Sequence, residues 1–166
     1  MSQVFISAAH KSSGKTLVST GLCAVYRRRG MRVAAFKKGP DYIDPAWLTK
    51  ASGGPCWNLD FFTMNQEEIL TCFEAQRQGA DVTVVEGNKG LFDGLDVEGS
   101  DSNAALAVTL GLPVLLVIDV TGITRGIAPL LAGYIEFDPE VRIAGVILNR
   151  VAGPRQESKL RAAIEC

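Results

Sequence analysis

The chain has 166 residues, with 17 Lys and Arg against 18 Asp and Glu and a formal net charge of −1, so no global field recruits nucleic acid or a membrane surface. Apolar residues make up 47% and charged residues 21%, the balance expected of one globular domain long enough to bury a core. No run of about 18 apolar residues exists to span a bilayer, and the first residues lack the charged-then-apolar pattern of a secretory signal.

In chain order, five short apolar runs stand out: 4–7 (VFIS), 32–36 (RVAAF), 81–86 (DVTVVE), 113–119 (PVLLVID) and 142–148 (RIAGVIL). Most lack polar alternation, which suits strands covered on both faces of a parallel sheet. Helical segments are predicted between them. The first, 15–29, stops at Gly30 and ends in Arg27, Arg28 and Arg29, cations that suit a solvated helix C-terminus. The second, 65–78, starts from Asn65 as N-cap, with Glu67 and Glu68 in its first turn. A third spans 102–110, and a fourth 124–135, with Pro129 near its start or kinking it. The last begins at 155. Strand-helix alternation of this kind predicts a doubly wound α/β domain whose ligands lie at the strands' C-terminal ends. Residues 38–62 form a long excursion that is expected to carry function or structure of its own. The chain stops at Cys166 within an amphipathic segment, as a fragment of something longer would. The cysteines, Cys23, Cys56, Cys72 and Cys166, share no metal-ligand spacing and fit a reducing cytoplasm, with Cys23 and Cys72 as buried thiols.

Three clusters fall at predicted strand ends. The first is AAHKSSGKT, residues 8–16. Strand, loop and helix with Gly14-Lys15-Thr16 at the helix start is the context of a phosphate-binding P-loop. The backbone of Ser12, Ser13 and Gly14 and the helix dipole then face an anion. Lys15 reaches the β- and γ-phosphates, and the Thr16 hydroxyl binds Mg²⁺. Ala9 stands where the usual pattern has its first glycine, so it is expected at ordinary negative φ. His10 occupies the position where one branch of such loops carries a second lysine, and Lys11 lies one place later, facing solvent or a phosphate; neither has an assigned role.

The second cluster is KKGPDYIDP, residues 37–45, with Asp41 as a carboxylate able to hold Mg²⁺ through water and Lys37 or Lys38 as neutraliser of a phosphate or substrate carboxylate. The third is EGNKGLFDG, residues 86–94. Glu86 ends a buried run, where an acid is costly without a partner; Mg²⁺ held by Thr16 is a natural one. Further on, Asp119 helps the metal or caps a helix, Arg125 is placed to reach phosphate or substrate, and Asn149 either pairs with adenine through its amide or caps its strand.

Taken in order, KKGPDYIDPAWL, EGNKGLFDG and GVILNRV behind the loop resemble the cobyrinate a,c-diamide synthase family over nearly the whole chain. The resemblance is to the family's N-terminal ATP-binding domain, a P-loop NTPase similar in fold to dethiobiotin synthetase. It implies ATP- and Mg²⁺-dependent activation of a tetrapyrrole carboxylate as an acyl phosphate, which ammonia from a C-terminal glutaminase domain converts to an amide. By this resemblance the chain is expected to be the synthetase domain alone, without the glutaminase domain. By the same resemblance Lys15 and Thr16 serve ATP and Mg²⁺, and Asp41 and Glu86 complete the metal site. Asp44, Lys89 and Asp93 lie in substrate- and phosphate-facing motifs, and Asn149 lies near adenine. The family's usual segment is close to EGVMGLFDG, so Asn88-Lys89 replaces an apolar pair and puts a cation beside the substrate. This wording is more like a branch thought to amidate sirohaem. A dethiobiotin-synthetase-like ligase and a nucleotide-switched partitioning ATPase are the competing readings; His10 in place of the second lysine weighs against the latter. A homodimer is a reasonable prior.

Overall fold

The computed structural model describes residues 2–165; Cys166 lies outside them. Six parallel strands form one sheet: β1 (Ser2–Ala8), β2 (Val33–Lys38), β3 (Cys56–Leu59), β4 (Val82–Glu86), β5 (Val114–Asp119) and β6 (Ile143–Asn149), in the order β3-β2-β4-β1-β5-β6. The helices are α1 (Lys15–Arg28), α2 (Asp44–Ser52), α3 (Gln66–Gln76), α4 (Asn103–Thr109), α5 (Ile127–Glu136) and α6 (Pro154–Ile164). β1 and β4 lie at the centre. Every residue of β4 is buried, whereas β6 is largely half-exposed at the sheet's edge. That explains why the inner strands read as unbroken apolar runs.

Two apolar layers sandwich the sheet. Cys23 of α1 and Leu48 of α2 pack with Ile6, Ala35 and Val84 on one face. Ile69 and Phe73 of α3, Leu106 of α4, Leu131 of α5 and Leu160 of α6 pack with Phe5, Phe36 and Leu116 on the other. Neighbouring residues of a strand therefore serve opposite layers.

The five expected strands all form, and the excursion at 38–62 supplies a sixth. Its α2 begins with Pro45 in the first turn and ends at Gly53, φ 79°, a left-handed C-cap. The density of Pro and Gly hides this short helix and the four-residue β3 from any periodicity. The α3 N-terminus is a complete capping box, with Glu68 N donating to Asn65 Oδ1 at 3.0 Å and Asn65 N donating to Glu68 Oε2 at 2.8 Å. α5 starts at Ile127 rather than 124, which leaves Pro129 in its first turn. Among the described residues no helix is long and apolar enough to cross a membrane.

Candidate nucleotide site

At the C-terminal ends of β1, β2 and β4 the three sequence clusters converge. The loop after β1 leads into α1 through Gly14 at φ 103°, and no side chain caps the helix. The first N–H groups of α1 are left facing outward, as an anion site requires. A side chain at Gly14 would be strained by its φ and would collide with the amide of Asn149. Ser12 is also left-handed, φ 67°, whereas Ala9 is absent from the positive-φ residues. Ala9 is instead clamped: its carbonyl accepts from Tyr134 Oη on α5, and a Cβ on Gly90 would come within 2.9 Å of the same oxygen. His10 Nδ1 donates to Lys11 O at 2.9 Å, and Ser13 Oγ donates to His10 O at 2.8 Å, so the loop tip is tied to itself.

Glu86 is fully buried, and Thr16 Oγ1 donates to its Oε1 at 2.8 Å. Lys37 pairs in register with Glu86 across β2 and β4. Its ammonium donates to Asp44 Oδ2 at 2.6 Å, Glu86 Oε1 at 2.8 Å and Gly87 O at 3.0 Å. Burial works against the charge on Lys37, but Glu86 and Asp44 outweigh it and hold its pKa above the ordinary value. Burial pushes the Glu86 carboxyl up despite Lys37. For Asp44, burial is outweighed by its bond to Lys37, and the carboxyl lies below its usual range. Lys15 Nζ donates to Lys89 O at 2.5 Å, and its pKa is lowered by burial and then by the nearby Lys37.

The expected metal trio of Thr16, Asp41 and Glu86 is brought together only in part. Asp41 Oδ1 accepts from the N–H groups of Ile43 and Asp44, at 2.9 and 3.0 Å, and its Oδ2 stays 3.8 Å from Lys37. This turn delivers Asp44, not Asp41, into the Lys37–Glu86 cluster. Lys89 contributes its carbonyl, while its side chain is exposed. Asp93 is exposed and accepts from Gly90 N at 3.0 Å, which makes it a brace of the 87–94 loop in this structure.

Asn149 Nδ2 donates to Ser13 O at 2.8 Å, so its amide ties β6 to the phosphate loop. Asp119 does not cap a helix. It accepts from Thr121 N and Oγ1 and pairs with Arg150 at 2.5 Å, and the start of α5 lies eight residues further on. Arg125 is exposed.

Two roles were not legible in the motifs. Lys37 is the hub of the cluster rather than a free cation; the signal was a charge in the last two residues of a buried strand whose neighbour ends in an acid. Asn103, the first residue of α4, is fully buried, accepts from Asn88 N and donates to the carbonyls of Asn88 and Gly90. It fixes the shape of the loop that carries Lys89, and no local pattern announced it.

A glycine-turned phosphate loop, an uncapped helix behind it, and a buried acid bonded to the loop's threonine define a P-loop nucleotide-binding domain. Residues 5–166 match the family described as CobQ/CobB/MinD/ParA nucleotide binding domain, and the chain belongs to that family. Among curated proteins it is 56% identical over 163 residues to a cobyrinate a,c-diamide synthase of Magnetococcus marinus, covering 98% of this chain and 35% of that protein. It is 44% identical over 164 residues to a hydrogenobyrinate a,c-diamide synthase of Rhizobium meliloti, covering 99% of this chain and 38% of that protein. The chain thus spans little more than a third of the length of these relatives. Among solved structures, the cell division protein FtsY of Thermotoga maritima aligns at a TM-score of 0.66 with 16% identity, over 99% of this chain and 58% of that one. The signal recognition particle 54 kDa protein of Aeropyrum pernix, in complex with GDP, aligns at 0.65 with 20% identity, over 98% of this chain and 39% of that one. These two likenesses concern the fold.

Proposed function

We propose that this chain is the ATP-binding synthetase part of a glutamine-dependent amidoligase of the cobyrinate a,c-diamide synthase type. In this reading it phosphorylates peripheral carboxylates of a tetrapyrrole. The observation that carries the reading is the cluster of Thr16, Lys37, Asp44 and Glu86 at the mouth of the phosphate loop. The identity to the synthases of the two bacteria above supports the choice of substrate class.

The residues fit Mg²⁺. Glu86 Oε2 is buried and has no hydrogen-bond partner, an arrangement that is costly unless a cation or proton meets it. Thr16 Oγ1, Glu86 and Asp44 would offer hard oxygen donors, the set Mg²⁺ takes beside phosphates. When bound, Mg²⁺ supplies charge neutralisation between a triphosphate and an incoming carboxylate. Asp41 then acts from one step out, by fixing the turn that aims Asp44.

The loop backbone and Lys15 hold the β- and γ-phosphates, and Lys15 leaves the Lys89 carbonyl to do so. Two anions must meet when a carboxylate oxygen attacks the γ-phosphorus. Lysines fixed at that edge lower the barrier by electrostatic stabilisation. The resulting acyl phosphate is attacked at its carbonyl carbon by ammonia, which leaves an amide and inorganic phosphate. In this reading the glutaminase region of the longer protein supplies the ammonia, in a reducing cytoplasm that suits the free thiols Cys23, Cys56 and Cys72.

The experiment is to incubate the full-length protein with ATP, Mg²⁺, glutamine and cobyrinate and to follow the product by mass spectrometry. A diamide supports the reading; unchanged cobyrinate counts against it. Lys89 beside the substrate favours one second reading, sirohaem as the ring, and a parallel incubation with sirohaem separates the two.

A further inference from the structure

Lys37 and Lys38 are adjacent and both buried, yet their surroundings differ. Lys37 has three acceptors. Lys38 is 4% exposed and has no hydrogen bond or ion pair among the described residues; its ammonium lies 5.8 Å from the centre of the Phe61 ring. The two acids nearest in effect, Asp101 and Asp60, are already committed. Asp101 accepts from the N–H groups of Leu95 and Asp96. Asp60 accepts from Phe62 N and Thr63 Oγ1. Burial, against the pull of those acids and helped by Lys89, lowers the Lys38 pKa. The Lys38 Nζ is not among the fully buried polar atoms that lack a partner, so an anion can reach it, and a lysine so placed gains from one that does.

Strand alternation sets where that anion would sit. Lys37 faces the layer of α1 and α2, the side of the phosphate loop's own helix, while Lys38 faces the layer of Phe36 and α3. The anion of Lys38 is therefore not the triphosphate. Lys89, on the loop after β4, is exposed, and its carbonyl accepts from Lys15 of the phosphate loop. It stands where the usual family segment has an apolar residue.

We infer that Lys38 forms a second anion site, on the α3 face of the sheet rather than the face of the phosphate loop's helix, that anchors a carboxylate of the substrate other than the one being phosphorylated. The inference rests on the proposed polycarboxylate substrate. It makes Lys38 a determinant of substrate choice: rings with a carboxylate at that spacing are held, and those without it are not.

The test uses full-length protein, with cobyrinate and ATP titrated separately by calorimetry into wild type, Lys38→Met and Lys38→Gln. Lys38→Met and Lys38→Gln are expected to weaken cobyrinate at least tenfold and to change ATP affinity less than twofold. Without ligand, Lys38→Met melts higher than wild type, because an apolar chain replaces an unpartnered ammonium under Phe61. A merely structural lysine would do the opposite. Unchanged cobyrinate affinity, an equal loss of ATP affinity, or a lower melting temperature in both Lys38 variants overturns the inference. Wild type that fails to bind cobyrinate overturns it too, together with the proposed function, and does so before any variant is made.

Discussion

At the scale of single residues, the contrast between neighbouring lysines sets out what the site requires. Lys37 neutralises Asp44, whose side chain is part-exposed, and Glu86, whose side chain is fully buried. Removing one member of a buried pair leaves the other charge uncompensated, at a cost of about 3–5 kcal/mol. Lys37→Met should therefore lower the stability of the protein by that amount in a denaturant titration. Lys15 presents the opposite case. Among the described residues its one hydrogen bond goes to a carbonyl, so Lys15→Ala should leave the fold nearly unchanged while abolishing the rise in melting temperature that ATP produces. In wild type that rise corresponds to about 2.7 kcal/mol at a ligand concentration of 100 Kd. A Lys15→Ala protein that ATP still stabilises would contradict the role given to the loop.

At the scale of elements, the loop after β4 depends on α4. Asn103 satisfies three backbone groups of residues 88–90, at 3.0, 2.9 and 2.6 Å, and Gly87 has no room for a Cβ, which would lie 2.7 Å from the Asn103 side chain. Leaving buried backbone groups unpaired costs about 1–3 kcal/mol each. Asn103→Ala is therefore expected to destabilise by at least about 2 kcal/mol and to increase hydrogen exchange selectively at Asn88, whose N–H it accepts. What the sequence made legible follows the same division. The strands and long helices could be read because burial on both faces imposes unbroken apolar runs, and because Asn65 and Gly30 mark helix ends chemically. The loop motifs could be read because phosphate chemistry demands Gly14, Lys15 and Thr16 in tandem. The α2–β3 pair was hidden because four and nine residues are too few for a period to emerge among Pro and Gly. Which of Asp41 and Asp44 bonds Lys37 was hidden for another reason: two acids three apart in a turn look alike until the backbone shows which one braces it.

At the scale of the whole molecule, β1 and β4 bring the phosphate loop and Glu86 together, and the outer strands brace them. Asn149 reaches from the edge strand β6 to the loop. Beside it, Asp119 and Arg150 join the ends of β5 and β6. The bonds from Thr121 and then the Arg150 guanidinium hold the Asp119 carboxyl down at about 2, below the ordinary 3.8. A depressed folded pKa contributes stability that is present above the unfolded value and is lost as pH falls through the folded one. The contribution of Asp119 should therefore be complete above about pH 4 and vanish toward pH 2. Asp119→Asn should flatten the pH dependence of the melting temperature in that window alone.

The central claim is that this edge of the sheet turns a carboxylate into an acyl phosphate. Its most direct test is isotopic. Cobyrinate carrying ¹⁸O in its peripheral carboxylates is incubated with full-length protein, ATP, Mg²⁺ and glutamine, and the inorganic phosphate is analysed by mass. Attack by the carboxylate oxygen places one ¹⁸O in phosphate for each amide formed. Amide formed with unlabelled phosphate would contradict the account.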